Sequence, residues 1–224
     1  MLTPLQWREW LIVLLSTIAG LVDVISFLTL KIFAAHVTGN LVLIAPVLVG
    51  GRSPRLDQDL AVPVFVVATA AAWLVARVSG LHGVHLVRLL LVGQFLLLAF
   101  VLLISVTHRP SVNQGGVMFT IDAMVAVSAI AFQFALLRIV SPNAPSTAVM
   151  TGNLSTSVLA LLDLMARKPV VNDARERLRK QFSLLLGFFA GCMAGAAAVL
   201  WCGDWAWSLP VLLAALTVPM TGKI

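Results

Sequence analysis

A chain of 224 residues in which 60% are hydrophobic and 11% charged has too few charges to cover a water-facing surface, for which soluble domains use about 25%. The mean hydropathy of +1.03 indicates a polytopic membrane protein and excludes a disordered chain. The 15 Lys and Arg against 9 Asp and Glu, a net charge of +6, fit basic loops on one membrane face better than nucleic-acid binding.

A membrane-crossing helix needs about 20 mostly apolar residues. Residues 10–30 form the first such stretch. Arg8 and the small residues at 16–20 resemble a signal peptide, but the apolar run continues past Asp23, which predicts an uncleaved first span. Residues 33–49 are apolar only in their second part; they open with His36, Thr38, Gly39 and Asn40, and Pro46 interrupts them. Full spans are predicted next at 60–81, 86–106 and 117–140. Residues 146–166 repeat the ambiguous pattern, with Pro145, Ser146, Thr151, Gly152 and Asn153 ahead of an apolar part. A basic loop at 167–180 leads into the last two spans, 182–201 and 205–220. Trp7, Trp10, Trp201, Trp205 and Trp207 mark segment ends, where indole favours the headgroup layer; Trp73 lies in mid-segment.

The tripeptide Thr-Gly-Asn occurs at 38–40 and again at 151–153, each time followed by an apolar stretch and a charged loop. Small residues at four-residue spacing occur in both halves: Ala68, Ala72, Ala76 and Gly80, then Gly187, Gly191 and Gly195. Such ladders let two helix backbones approach closely, as a static seam or a sliding contact. The pattern predicts one membrane domain over 1–224 built from a two-fold repeat, 10–106 and 117–221. The fold class is all-α: a polytopic membrane bundle with six full spans and two short or broken Thr-Gly-Asn helices. If the latter also spanned, eight spans and a parallel repeat would result; if not, the repeat is inverted. Lys and Arg totals per side are equal in the two topologies, because Arg52, Arg55 and Arg109 exchange with Arg77, Arg88 and Arg138. Both topologies put the N-terminus and the loop 167–180 in the cytoplasm.

Asp23 is the most informative residue. A carboxylate at a membrane helix centre costs about 2.5–3.5 kcal/mol on insertion scales, so it needs a partner or a task. Lys31, Arg77 and Arg138 are the available cations. Coupling or substrate contact is one role, a lock between helices the other. Asp122 and Asp163 lie nearer segment ends and read as interfacial. The Thr-Gly-Asn breaks would start helices inside the membrane and aim free N–H groups at a midplane site; the plainer alternative is a pair of caps at the membrane surface. Gln133 would line the same cavity or bond a neighbouring helix.

No phosphate-cradling loop, His-Glu-x-x-His, Cys-x-x-Cys or Gly-x-Ser-x-Gly motif is present. Cys192 and Cys202 cannot build a disulfide framework or a zinc site, and the four His residues are scattered. The chain therefore predicts no cofactor, no metal and no nucleic-acid partner, and it is not expected to be an enzyme.

Gly20-Leu21-Val22-Asp23, Phe33 and His36-Val37-Thr38-Gly39-Asn40 resemble the signature of the YoaK family of bacterial membrane proteins, a domain of unknown function. Phe132-Gln133-Phe134-Ala135 and Val149-Met150-Thr151-Gly152-Asn153-Leu154 are similar to that family's second motif, with Phe134 in place of its usual Asn and Ala131 in place of its Gly. The resemblance covers nearly the whole chain and implies a bacterial inner-membrane protein of about six spans, without an activity. The leading expectation is a permease for a small solute with a site formed by Asp23, Thr38, Gly39, Asn40, Gln133, Thr151, Gly152 and Asn153. The alternative is a scaffold or accessory subunit that passes no solute. Its partners are the bilayer and the solute, and a homo-oligomer is compatible with either reading.

Overall fold

The computed structural model describes residues 4–50, 56–109, 112, 116–140, 150–166 and 171–223. Among them the regular structure is helical throughout: α1 (Pro4–Leu30), α2 (Val37–Val49), α3 (Leu56–Val78), α4 (Gly83–His108), α5 (Val117–Val140), α6 (Met150–Met165), α7 (Val171–Cys202) and α8 (Ser208–Met220), with 3-10 turns at Gly203–Trp207 and Thr221–Lys223. Among the described residues five helical stretches are long and apolar enough to cross a membrane: Gln6–Leu30, Gln58–Val78, Gly83–His108, Val117–Val140 and Arg175–Met220. The fifth holds both of the last two expected spans. Its 46 residues are broken at Gly203, where φ of +58° suits glycine and turns the chain from α7 into α8. The two Thr-Gly-Asn helices, α2 with 13 residues and α6 with 16, are too short to span a hydrocarbon core of about 30 Å at 1.5 Å per residue.

The buried core joins α1, α4, α5 and α8, with Leu15, Ile18, Leu90, Leu98, Ile130 and Trp207 among its fully buried side chains. The outward faces are apolar too. Leu41, Val42, Val67, Leu96, Leu159, Phe189 and Leu200 are all more than half exposed. In water such a surface would be untenable; against lipid tails it is matched.

Cross-helix contacts give the directions. Glu9 pairs with Arg179 at 2.9 Å, Ser16 Oγ donates to the Leu184 carbonyl at 2.9 Å, and Gly195 lies against Leu21, so α1 and α7 run parallel. Their seam is made of glycine. A Cβ on Gly20 would run into the Phe188 carbonyl, and one on Gly191 into the Thr17 carbonyl. Of the other small-residue ladder, Ala68, Ala72 and Ala76 lie on α3, which packs along α5 with Ala68 and Ala72 buried; Gly80 lies past its end. Gln94 with Gln133 and Ser105 with Asp122 set α4 and α5 antiparallel. Gln133 also reaches the Leu15 carbonyl, while Leu11 and Ile12 share a groove with Leu136, Leu137 and Val140, so α1 and α5 are antiparallel. Gln58, at the start of α3, donates to the Lys31 carbonyl at 3.4 Å, so α3 begins where α1 ends. The remaining packing sets α2 on α3, α6 on α7, and α8 on α4 and α1.

Candidate functional site

The chain leaves α1 at Lys31, whose φ of +59° stops the helix. It does not continue outward. His36 lies beside Asp23, which precedes Leu30 by seven positions in α1. Residues 31–36 therefore run back along α1 by about 10 Å at 1.5 Å per residue, and α2 then starts from that depth. An irregular segment buried at such depth must have its backbone polar groups satisfied by protein. Two side chains do this.

Asp23, 5% exposed, accepts on Oδ1 from the Ala35 N–H at 2.8 Å and the His36 N–H at 3.2 Å. Its Oδ2 meets His36 Nδ1 at 2.6 Å. Asn40 is fully buried and grips one residue with both ends of its amide: the Phe33 N–H donates to Oδ1 at 2.9 Å, and Nδ2 donates to the Phe33 carbonyl at 2.8 Å. Gly39 leaves room for the Phe33 ring, since a Cβ there would come within 3.2 Å of it. The same ring stacks on Phe27 at 4.7 Å, and the His36 ring meets Phe188 of α7 edge-on at 5.4 Å. Thr38 is exposed. Asp23, Gly39 and Asn40 thus converge on one buried strap.

The side chain of His36 is 37% exposed. The contact of the pair holds the strap down against α1.

The three cations expected as partners of Asp23 are engaged or turned away. Lys31 donates to the Leu28 carbonyl at 3.0 Å, Arg77 lies over the Trp73 ring, and Arg138 is exposed. His36, which the sequence left among scattered histidines, takes the place instead. Its signals were its place two residues before Thr38 and in the motif His36-Val37-Thr38-Gly39-Asn40. Asn40 was expected at or just before a helix start, capping free N–H groups; it lies within the first turn of α2 and bonds the strap.

In the second half Asn153 occupies the matching place, fourth in α6, and is 5% exposed. Its Nδ2 lies 3.9 Å from Met150 Sδ. Thr151 and Gly152 are exposed. Pro145 and Ser146, expected to open this stretch, lie outside the described residues, as do Arg52, Arg55, Arg167 and Lys168. Because α2 rests on α3 and α6 on α7, the two tripeptides have different supports. Gln133 belongs to neither. It accepts from Gln94 Nε2 at 2.7 Å and donates to the Leu15 carbonyl at 2.9 Å, tying α5 to α4 and α1. Leu15 lies eight positions before Asp23, or about 12 Å along α1.

Asp122, the sixth residue of α5 and so near its end as expected, is fully buried within the protein. Ser105 Oγ donates to its Oδ2 at 2.6 Å, and its Oδ1 has no partner among the described residues. Among those residues no group of three or more His, Cys, Asp or Glu is placed to hold a metal ion. An apolar cavity of about 600 Å³ between α3, α4 and α5 is lined by residues such as Pro63, Gly93 and Phe132. Neither Asp23 nor either Asn lines it.

Short helices carried by longer apolar ones, with an internal strap tied to a carboxylate, define a polytopic helical bundle of the membrane type. The profile of the family described as Protein of unknown function (DUF1275) matches residues 11–220. The chain belongs to that family, which agrees with the YoaK resemblance of its motifs. No curated protein and no solved structure matches it.

Proposed function

We propose that the protein is a carrier for a small solute rather than an enzyme, built as an inverted repeat of α1–α4 and α5–α8 with six spans and two re-entrant helices. The observation that carries this reading is the strap: α2 starts at the depth of Asp23, as the discontinuous helices of carriers start at a midplane site. Exchange of neighbours supports the repeat. α1 packs on α7 as α3 does on α5, α2 on α3 as α6 on α7, and α4 on α5 as α8 on α1. The antiparallel setting of α1 and α5 favours inversion. With these directions Arg8, Arg77, Arg88, Arg138, Arg179 and Lys180 fall at one end, opposite Lys31 and Arg109. That asymmetry favours a cytoplasmic loop 167–180 in a bacterial inner membrane. Asp23, Thr38, Gly39 and Asn40 would form the first half of the site, and Gln133, Thr151, Gly152 and Asn153 the second.

A reporter fused at residues 108–114 should give a periplasmic signal; a cytoplasmic one would sink the inverted repeat. Proteoliposomes should pass a subset of small polar solutes faster than empty vesicles, and Asp23→Asn should abolish this while the protein stays folded and inserted. One observation favours the scaffold reading: the polar atoms of Asp23 and Asn40 already serve the strap. Folded, correctly inserted protein that passes no solute would establish that reading instead.

A further inference from the structure

At the end of the bundle where α1 and α4 begin and α5 finishes, the three helices leave a groove of about 150 Å³. Its walls are Leu11, Ile12 and Leu15 of α1, Val84 and Val87 of α4, and the last turn of α5; among the described residues Arg8 is the only ionisable one lining it. Arg8 shares one face of α1 with Leu11, Ile12 and Leu15, because spacings of three, four and seven residues return to the same side of a helix. Arg88, exposed, does not line the groove itself but follows Val84 by one helical turn along α4, at its flank. The two arginines share a level. Continuing the Gln94–Gln133 register brings Arg88 opposite Ile139, and continuing the Leu15–Gln133 register brings Arg8 opposite Val140. The rim is open at Gly83, where an added Cβ would meet nothing within 4 Å.

We propose that this groove binds one acyl chain of an anionic phospholipid, with the lipid phosphate between Arg8 and Arg88. The walls are apolar and narrow, which suits a single hydrocarbon chain and excludes a helix. An arginine from each of two helices stands at the level of the mouth, which favours an anionic over a zwitterionic headgroup. Basic pockets between membrane helices recognise anionic headgroups in this way, each Lys or Arg near the surface adding about 1 kcal/mol, or on the order of 5-fold in affinity. The site is independent of solute transport.

The test titrates the full-length protein in detergent with phosphatidylglycerol and phosphatidylcholine of identical chains and reads bound lipid by native mass spectrometry. Phosphatidylglycerol should bind tighter by on the order of 5-fold or more. Arg8→Gln and Arg88→Gln should each remove about 5-fold of that preference and leave phosphatidylcholine unchanged. Val84→Trp, placed on the exposed rim, should fill the slot and weaken both lipids. Arg109→Gln, at the opposite end, should change neither. Equal binding of the two lipids would overturn the proposal, as would a preference that survives loss of both arginines. Competition by soluble glycerol phosphate as effective as the lipid would assign the arginines to a free phosphate and refute the acyl-chain site.

Discussion

Replacing Asp23 tests the strap most directly, because Asn and Leu remove different parts of it. Asp23→Asn keeps an oxygen for the Ala35 and His36 N–H groups and loses the charged bond to His36. A hydrogen bond to a charged group is worth about 1.5–3 kcal/mol. His36 is only half-buried, which places this one at the low end. Asp23→Leu strips both backbone donors as well, and each buried, unmatched donor costs about 1–3 kcal/mol. Leu should therefore cost roughly 2–6 kcal/mol beyond Asn, enough to release the strap in a protein of ordinary marginal stability. Thermal unfolding of the detergent-purified variants measures the difference. His36→Gln removes the same contact from the other side and should cost about as much as Asp23→Asn. Equal stability of the Asn and Leu variants would refute the role given to Asp23.

Two further outcomes follow from the packing. Gln133→Leu should cost about 1–2 kcal/mol in thermal unfolding by removing the bonds to Gln94 and Leu15, whereas Gln94→Leu combined with Gln133→Leu should be no worse than the single change, because the abandoned Gln94 amide is removed too; a strictly additive loss would contradict the bridge. Gly191→Ala should destabilise by about 1–3 kcal/mol, since a Cβ there meets the Thr17 backbone of α1, while Gly222→Ala, where a Cβ meets nothing within 4 Å, should be neutral in the same assay.

Composition alone determined the solvent of this protein, because a chain with 11% charged residues has no means of facing water over its whole surface. Periodicity and length placed the long apolar helices, and the doubled Thr-Gly-Asn marked the two short ones, since helix-breaking residues inside an apolar run are visible one residue at a time. The glycine ladder of α7 was legible as a seam for a similar local reason. What the sequence left open were the relations between segments distant along the chain. Equal charge totals could not choose between the two topologies, and only the helix directions place Arg77, Arg88 and Arg138 at the end of the bundle opposite Lys31 and Arg109. Asp23 could have met any of several cations, and the return of the strap toward the middle of α1 brought it His36. Gln133 and Asp122 found Gln94 and Ser105 through the antiparallel register of α4 and α5. A buried polar group must be satisfied, but which group satisfies it depends on how the backbone comes back, and that is decided by tertiary packing.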